Sequence, residues 1–168
     1  MTKPRSIIVA FLLALPVLLT TVSARAEPAF QRLTPLLIDL DGWQGKKADG
    51  MSMDMPNGSM TTATREYQKG SAKANVSIVV GQTAVGALAP MVTGMNLKTS
   101  DGHMLTDTVQ GMKVLKTYTT AQKSGALVVA LDKDAMFSFA YSGLPEDDAV
   151  ALAQKFDWKA IQAAAKSK

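Results

Sequence analysis

Residues 112–141 read MKVLKTYTTAQKSGALVVALDKDAMFSFAY. Three runs rich in β-branched and aromatic residues, 112–120, 126–131 and 135–141, are separated by Lys123-Ser124-Gly125 and by Lys133-Asp134. Gaps of that size fit hairpin loops, whereas parallel neighbours need a crossover of roughly a dozen residues or more, so the runs predict consecutive antiparallel strands. Upstream, residues 103–109 form a fourth strand, joined through the turn signal Gln110-Gly111. Downstream, Pro145-Glu146-Asp147-Asp148 opens a helix: proline suits the first turn, and three acids meet the positive end of the helix dipole. Ala149, Leu152 and Phe156 give that helix an apolar stripe. Asp157 then caps a C-terminal helix with Trp158 and Ile161 facing inward.

Working back from residue 103, Val85, Leu88, Val92 and Met95 recur at spacings of three and four. They predict a helix over 82–97, weakened by Gly86, Pro90 and Gly94. Before it the period is two: Ala74, Val76, Ile78 and Val80 point one way and Lys73, Asn75 and Ser77 the other. Gly70-Ser71 joins this strand to another over 60–69, and Pro56-Asn57-Gly58 joins that to an alternating segment with Met51, Met53 and Met55. A short helix over 28–34, stopped at Pro35, and a turn at Gly42-Trp43 complete the chain. The expected fold is α+β: an antiparallel β-sheet of about five to seven strands with helices packed on one face, including a C-terminal helix.

The first residues carry a different signal. Lys3 and Arg5 precede an uncharged run over 7–22, and Ala24-Arg25-Ala26 offers the small residues that signal peptidase accepts. The run spans sixteen residues and contains Pro16, short of the roughly 20 apolar residues of a spanning helix. The reading is a signal peptide over 1–26, cleavage after Ala26, and one α+β domain over 27–168. The mature protein is expected to be periplasmic or secreted, with no membrane span after cleavage. Formal charge is +4, but Lys3, Arg5 and Arg25 fall in the leader, and without them 15 bases face 14 acids. That balance leaves no electrostatic footprint for nucleic acid or an anionic membrane. The chain has no cysteine, which removes disulfides, thiolate nucleophiles, and zinc or iron–sulfur sites built on Cys.

Nine of the ten methionines lie beyond the leader, and four crowd into residues 51–60. Thioethers are soft donors suited to Cu(I). Met51, Met53 and Met55 share one side of a strand at about 6.7 Å steps, with His103, the only imidazole, as a further candidate ligand. The plainer reading is a half-buried strand whose inward side is filled by an adaptable hydrophobe. His103 stands without a Gly-x-Ser-x-Gly or His-Glu-x-x-His motif and reads as a solvated residue at a strand entry. The pairs Asp132/Asp134 and Asp147/Asp148 flank a hairpin turn and open a helix, structural places for acids. Arg65 has two placements. If it shares a face with Ala63 and Tyr67, its guanidinium must be paired or line a groove; if Thr64 and Glu66 face inward, it is ordinary surface.

Gly42-Trp43, Arg65-Glu66-Tyr67, Gly111-Met112-Lys113-Val114 and Phe156-Asp157-Trp158-Lys159, taken in order, resemble a family of small secreted bacterial proteins of unassigned function. More loosely, the hairpins over 112–141 followed by a C-terminal helix are similar to the PsbP and DcrB type of α/β/α sandwich. That resemblance implies an auxiliary or binding protein rather than an enzyme, on fold alone. The residues themselves assemble no catalytic set. The expected function is therefore a non-enzymatic envelope protein that binds a partner or a small apolar ligand between sheet and helices, without cofactor. The alternative is a copper protein that uses residues 51–60.

Overall fold

The computed structural model describes residues 28–56 and 58–166. The leader expected over 1–26 lies outside the described residues. The chain opens with α1 (Ala29–Leu33), a 3-10 turn (Thr34–Leu36) that takes in Pro35, and the two-residue strand β1 (Gln44–Gly45). β2 (Asp49–Met55), β3 (Gly58–Lys69) and β4 (Ala72–Val80) follow as hairpins, then α2 (Gln82–Thr93). The second half is β5 (Leu97–Lys98), β6 (Gly102–Val109), β7 (Met112–Thr119), β8 (Ser124–Asp132), β9 (Ala135–Ser142), α3 (Glu146–Ala153) and α4 (Trp158–Lys166).

The nine strands of the described residues join one antiparallel sheet in the order β1-β3-β4-β9-β8-β7-β6-β5, with β2 paired to β3 beside β1. The count exceeds the expected five to seven, two of the nine being two-residue stubs. After β4 the chain crosses one face through α2 to the far edge, then meanders back through four hairpin-linked strands until β9 pairs with β4. Alternation then sorts the strands' residues between two faces.

The core face carries Val76, Ile78, Val114, Leu127, Val129, Phe137 and Phe139, all buried against Leu33 and Leu37 from the N-terminal turns and against Ala149, Ala153, Phe156, Trp158 and Ile161. Asp157 caps α4 as expected, its Oδ1 accepting from the Ala160 amide at 2.9 Å. Phe156 lies just past α3 and stacks near Phe137 with ring centroids 5.2 Å apart.

The other face is covered in part by α2, so the expectation of helices on one face only is overturned. The helix also turns a different stripe inward. Its buried residues are Ala84, Leu88 and Met91, while Val85 and Val92 are exposed, Val92 at 84%. Only Leu88 of the predicted stripe is buried, because the small cluster of Leu88, Met91 and Leu115 seats α2 on Met104, Val128, Ala130 and Met136. Gly94 stops the helix in the left-handed region at φ 65, three residues before the predicted end.

Candidate functional site

Beyond α2 the sheet's second face is open. Cross-strand register sets Glu66, Asn75, Ala140, Ala126 and Thr117 in one row, and Thr64, Ser77 and Ser138 in the next, which runs under α2 at Val128. Four adjacent strands thus present short side chains while their other sides present Val, Phe and Tyr to the core. The result is a trough of about 780 Å³ over β1, β3, β4 and β9, with Gln68, Asn75, Ala140 and Ser142 among its lining. Its rim is charged: Lys46 Nζ lies 2.5 Å from Glu66 Oε2. That ammonium, by hydrogen bond and charge, holds the Glu66 carboxyl below the usual carboxylate range. The trough lies on the α2 face, whereas the space between the sheet and α1, α3 and α4 is filled by the core.

Arg65 takes the inward placement. It shares the core face with Ala63 and Tyr67, its side chain only 15% exposed. Nε donates to the Lys46 carbonyl at 2.8 Å and Nη1 to the Leu37 carbonyl at 2.7 Å, and Nη2 pairs with Asp39. The guanidinium sits 5.2 Å from the Tyr67 ring centroid, and Tyr67 Oη donates to the Ile38 carbonyl at 2.7 Å. Together the two side chains stitch residues 37–46 to β3. Gly45 makes room, since a Cβ there would fall 2.7 Å from Nη2. With its donors committed to protein oxygens and its face opposite the trough, Arg65 positions backbone and does not line the trough.

His103 lies at the entry of β6, where the sequence put it, but its side chain is paired and largely covered rather than solvated. Its Nε2 lies 3.1 and 3.0 Å from the two Glu146 carboxylate oxygens, and its ring is 6.0 Å from that of Tyr118. Glu146 opens α3, so the pair fastens the N-terminus of that helix to β6. Among the described residues no group of three His, Cys, Asp or Glu is placed to hold a metal.

The methionine strand is also corrected in one respect: β2 is not half-buried. Met51, Met53 and Met55 are 46%, 43% and 42% exposed, and the residues between them are exposed as well. The reason is topological. Among the described residues β2 pairs only with β3, at the edge of the sheet, and its side chains on the α2 side stay exposed. Register places Met51 opposite Thr62 and so in the row of Val79 and Met136, on the α2 face. Met53 stands directly opposite Met60. His103, on the core face at the far side of the sheet, is not brought to them.

Two features escaped the sequence reading. The trough had a signal in the alternation of Phe137, Phe139 and Tyr141 with Ser138, Ala140 and Ser142, which leaves one side without bulk. The Met53–Met60 pairing had a signal in Pro56-Asn57-Gly58, since a tight turn there fixes which residues oppose. Compared with protein-family models, curated proteins and solved structures, the chain finds no match. What can be assigned is therefore a class of architecture, a broad antiparallel sheet with helices on both faces and one open half-face.

Proposed function

We propose that the protein is a non-enzymatic binding protein of the cell envelope, and that the open trough beside α2 is its recognition surface. The observation that supports this reading is the run of short side chains Asn75, Ala140 and Ser142 that lines the trough on neighbouring strands of the sheet. Sheet faces are ordinarily covered or studded with long polar side chains; here short ones leave the backbone approachable from one side. The chemistry of the lining suits an occupant with hydrogen-bonding groups: amides from Gln68 and Asn75, the hydroxyl of Ser142, and charges of both signs from Lys46, Lys73 and Glu66. This shifts the expected ligand from an apolar molecule between sheet and helices to a more polar one on the open face. Lys73 is paired across strands with Ser142 in this lining, but no histidine or cysteine joins them there, and recognition accounts for the trough's residues better than turnover does.

Native mass spectrometry of protein recovered from the envelope, beside an Ala140→Trp variant, tests the proposal. An indole at position 140 fills the floor without touching the core face. A retained mass on the wild type that is lost from a folded Ala140→Trp protein is the expected result. A retained mass that survives the substitution would move the binding site elsewhere.

A further inference from the structure

The exposed methionines call for a separate explanation. A strand that shows three large apolar side chains to water at more than two-fifths exposure gains little from burying them, so packing does not account for Met51, Met53 and Met55. Cross-strand register adds a fourth. Met60 on β3 is directly opposite Met53, where Cβ atoms in antiparallel pairs lie about 4.5–5.5 Å apart. It is diagonal to both Met51 and Met55, a separation of about 7–8 Å that long side chains span. Met60 is thus the hub of the hairpin, and its partners have three rotatable bonds each with which to converge on it.

Two further observations favour a cation there. Met60 is partly buried and its Sδ is held 3.2 Å from the Thr83 hydroxyl at the start of α2, which fixes the sulfur while leaving its second lone pair for another partner. The chain is pressed close at this point, since a Cβ on Gly81 would stand 2.3 Å from the Ser59 carbonyl. The segment over 49–64 carries Asp49 and Asp54 and no Lys, Arg or His, so the hairpin has a local charge of −2 and no competing cation. Hard divalent ions need oxygen cages, and no such cluster is present among the described residues.

We propose that the β2–β3 hairpin is a thioether site for a soft monovalent metal, Cu(I), in which Met53 and Met60 supply two sulfurs and Met51 or Met55 the third. His103 takes no part. A thioether has no proton to lose on coordination, unlike imidazole, thiolate or carboxylate, so affinity is flat across acidic and neutral pH. The site is independent of the trough and stands or falls separately from the binding function proposed above.

Anaerobic titration of the purified protein with Cu(I) against a chromogenic chelator tests this, at pH 5.5 and pH 7.5, for the wild type, a Met53→Leu/Met60→Leu double variant and His103→Ala. Leu keeps volume and apolarity and removes the sulfur, and circular dichroism confirms that each variant is folded. The expected result is one Cu(I) per chain with affinity unchanged by pH and by His103→Ala, and weaker by roughly 100-fold or more in the double variant. Sulfur-only scattering in X-ray absorption of the Cu(I)-loaded protein supports the same assignment. Failure of the wild type to compete with the chelator, binding that survives the double substitution, or affinity that falls with His103→Ala or on acidification would each overturn it.

Discussion

Arg65 and Tyr67 illustrate how one pair of side chains converts a sheet into a scaffold for an irregular segment. Residues 37–46 have only the two-residue β1 as regular structure, yet three of their carbonyls receive side-chain donors from β3: Leu37 and Lys46 from Arg65, and Ile38 from Tyr67. Desolvation is the main reason the Tyr67 hydroxyl is pushed up to about 12 from 10.0, and burial pushes Tyr141 up as well. The sign of the resulting pH dependence follows. Below pH 10 both folded and unfolded chains hold these protons and stability is complete. Above it the unfolded chain loses them first, so stability falls with rising pH until the folded phenol also ionises, near pH 12 for Tyr67. Urea unfolding at pH 8, 10 and 11 should therefore show a free energy that changes little from pH 8 to 10 and declines from pH 10 to 11, with a smaller decline in Tyr67→Phe. That variant starts lower, by about 0.5–1.5 kcal/mol for the lost hydrogen bond. A wild-type stability that stays level from pH 8 to 11 would contradict the burial argument.

At the scale of elements, the strands were legible because hairpin turns and period-two alternation are local signals. β7, β8 and β9 follow the predicted runs to within two residues at each end. The half-burial of β2 was not legible, since alternation reports only which residues share a side and not whether anything covers it. α2 was misread by one position for a related reason: Val85 and Val92 are apolar, but the small residue Ala84 fits the close approach to the sheet. Arg65 remained open until the inward direction of Ala63 and Tyr67 was known, and His103 found its partner 43 residues away, a separation beyond any local pattern. Exposure of β2 carries an energetic consequence. Replacing Met51, Met53 and Met55 together with Leu should shift stability by no more than about 0.5 kcal/mol per site, the range of surface substitutions. Chemical denaturation in the absence of metal measures this. A loss of about 1.5 kcal/mol per site, the upper limit for volume-conserving swaps in a packed core, would mean that the strand is buried after all.

Across the whole molecule the two faces of the sheet are held with unequal strength. The core face is closed by α1, α3 and α4 over Phe137, Phe139, Phe156 and Trp158. α2 rests on Leu88, Met91 and Leu115, with Gly86 and Pro90 inside the helix. Pro90 has no amide to offer the Gly86 carbonyl, and glycine weakens a helix interior by about 1 kcal/mol relative to alanine. α2 also touches the methionine hairpin on the same face, through Thr83 and Met60. Such a layer opens at lower free energy than the sheet beneath it. Native-state hydrogen exchange should therefore find α2 amides exchanging by local opening, well ahead of those in β4, β8 and β9, which wait for global unfolding. Leu88→Ala enlarges the gap, speeding exchange in α2 more than in β9, because it removes a contact that only the α2 layer uses. Equal protection across α2 and β9, or equal acceleration of both by Leu88→Ala, would mean that the two layers unfold as one unit.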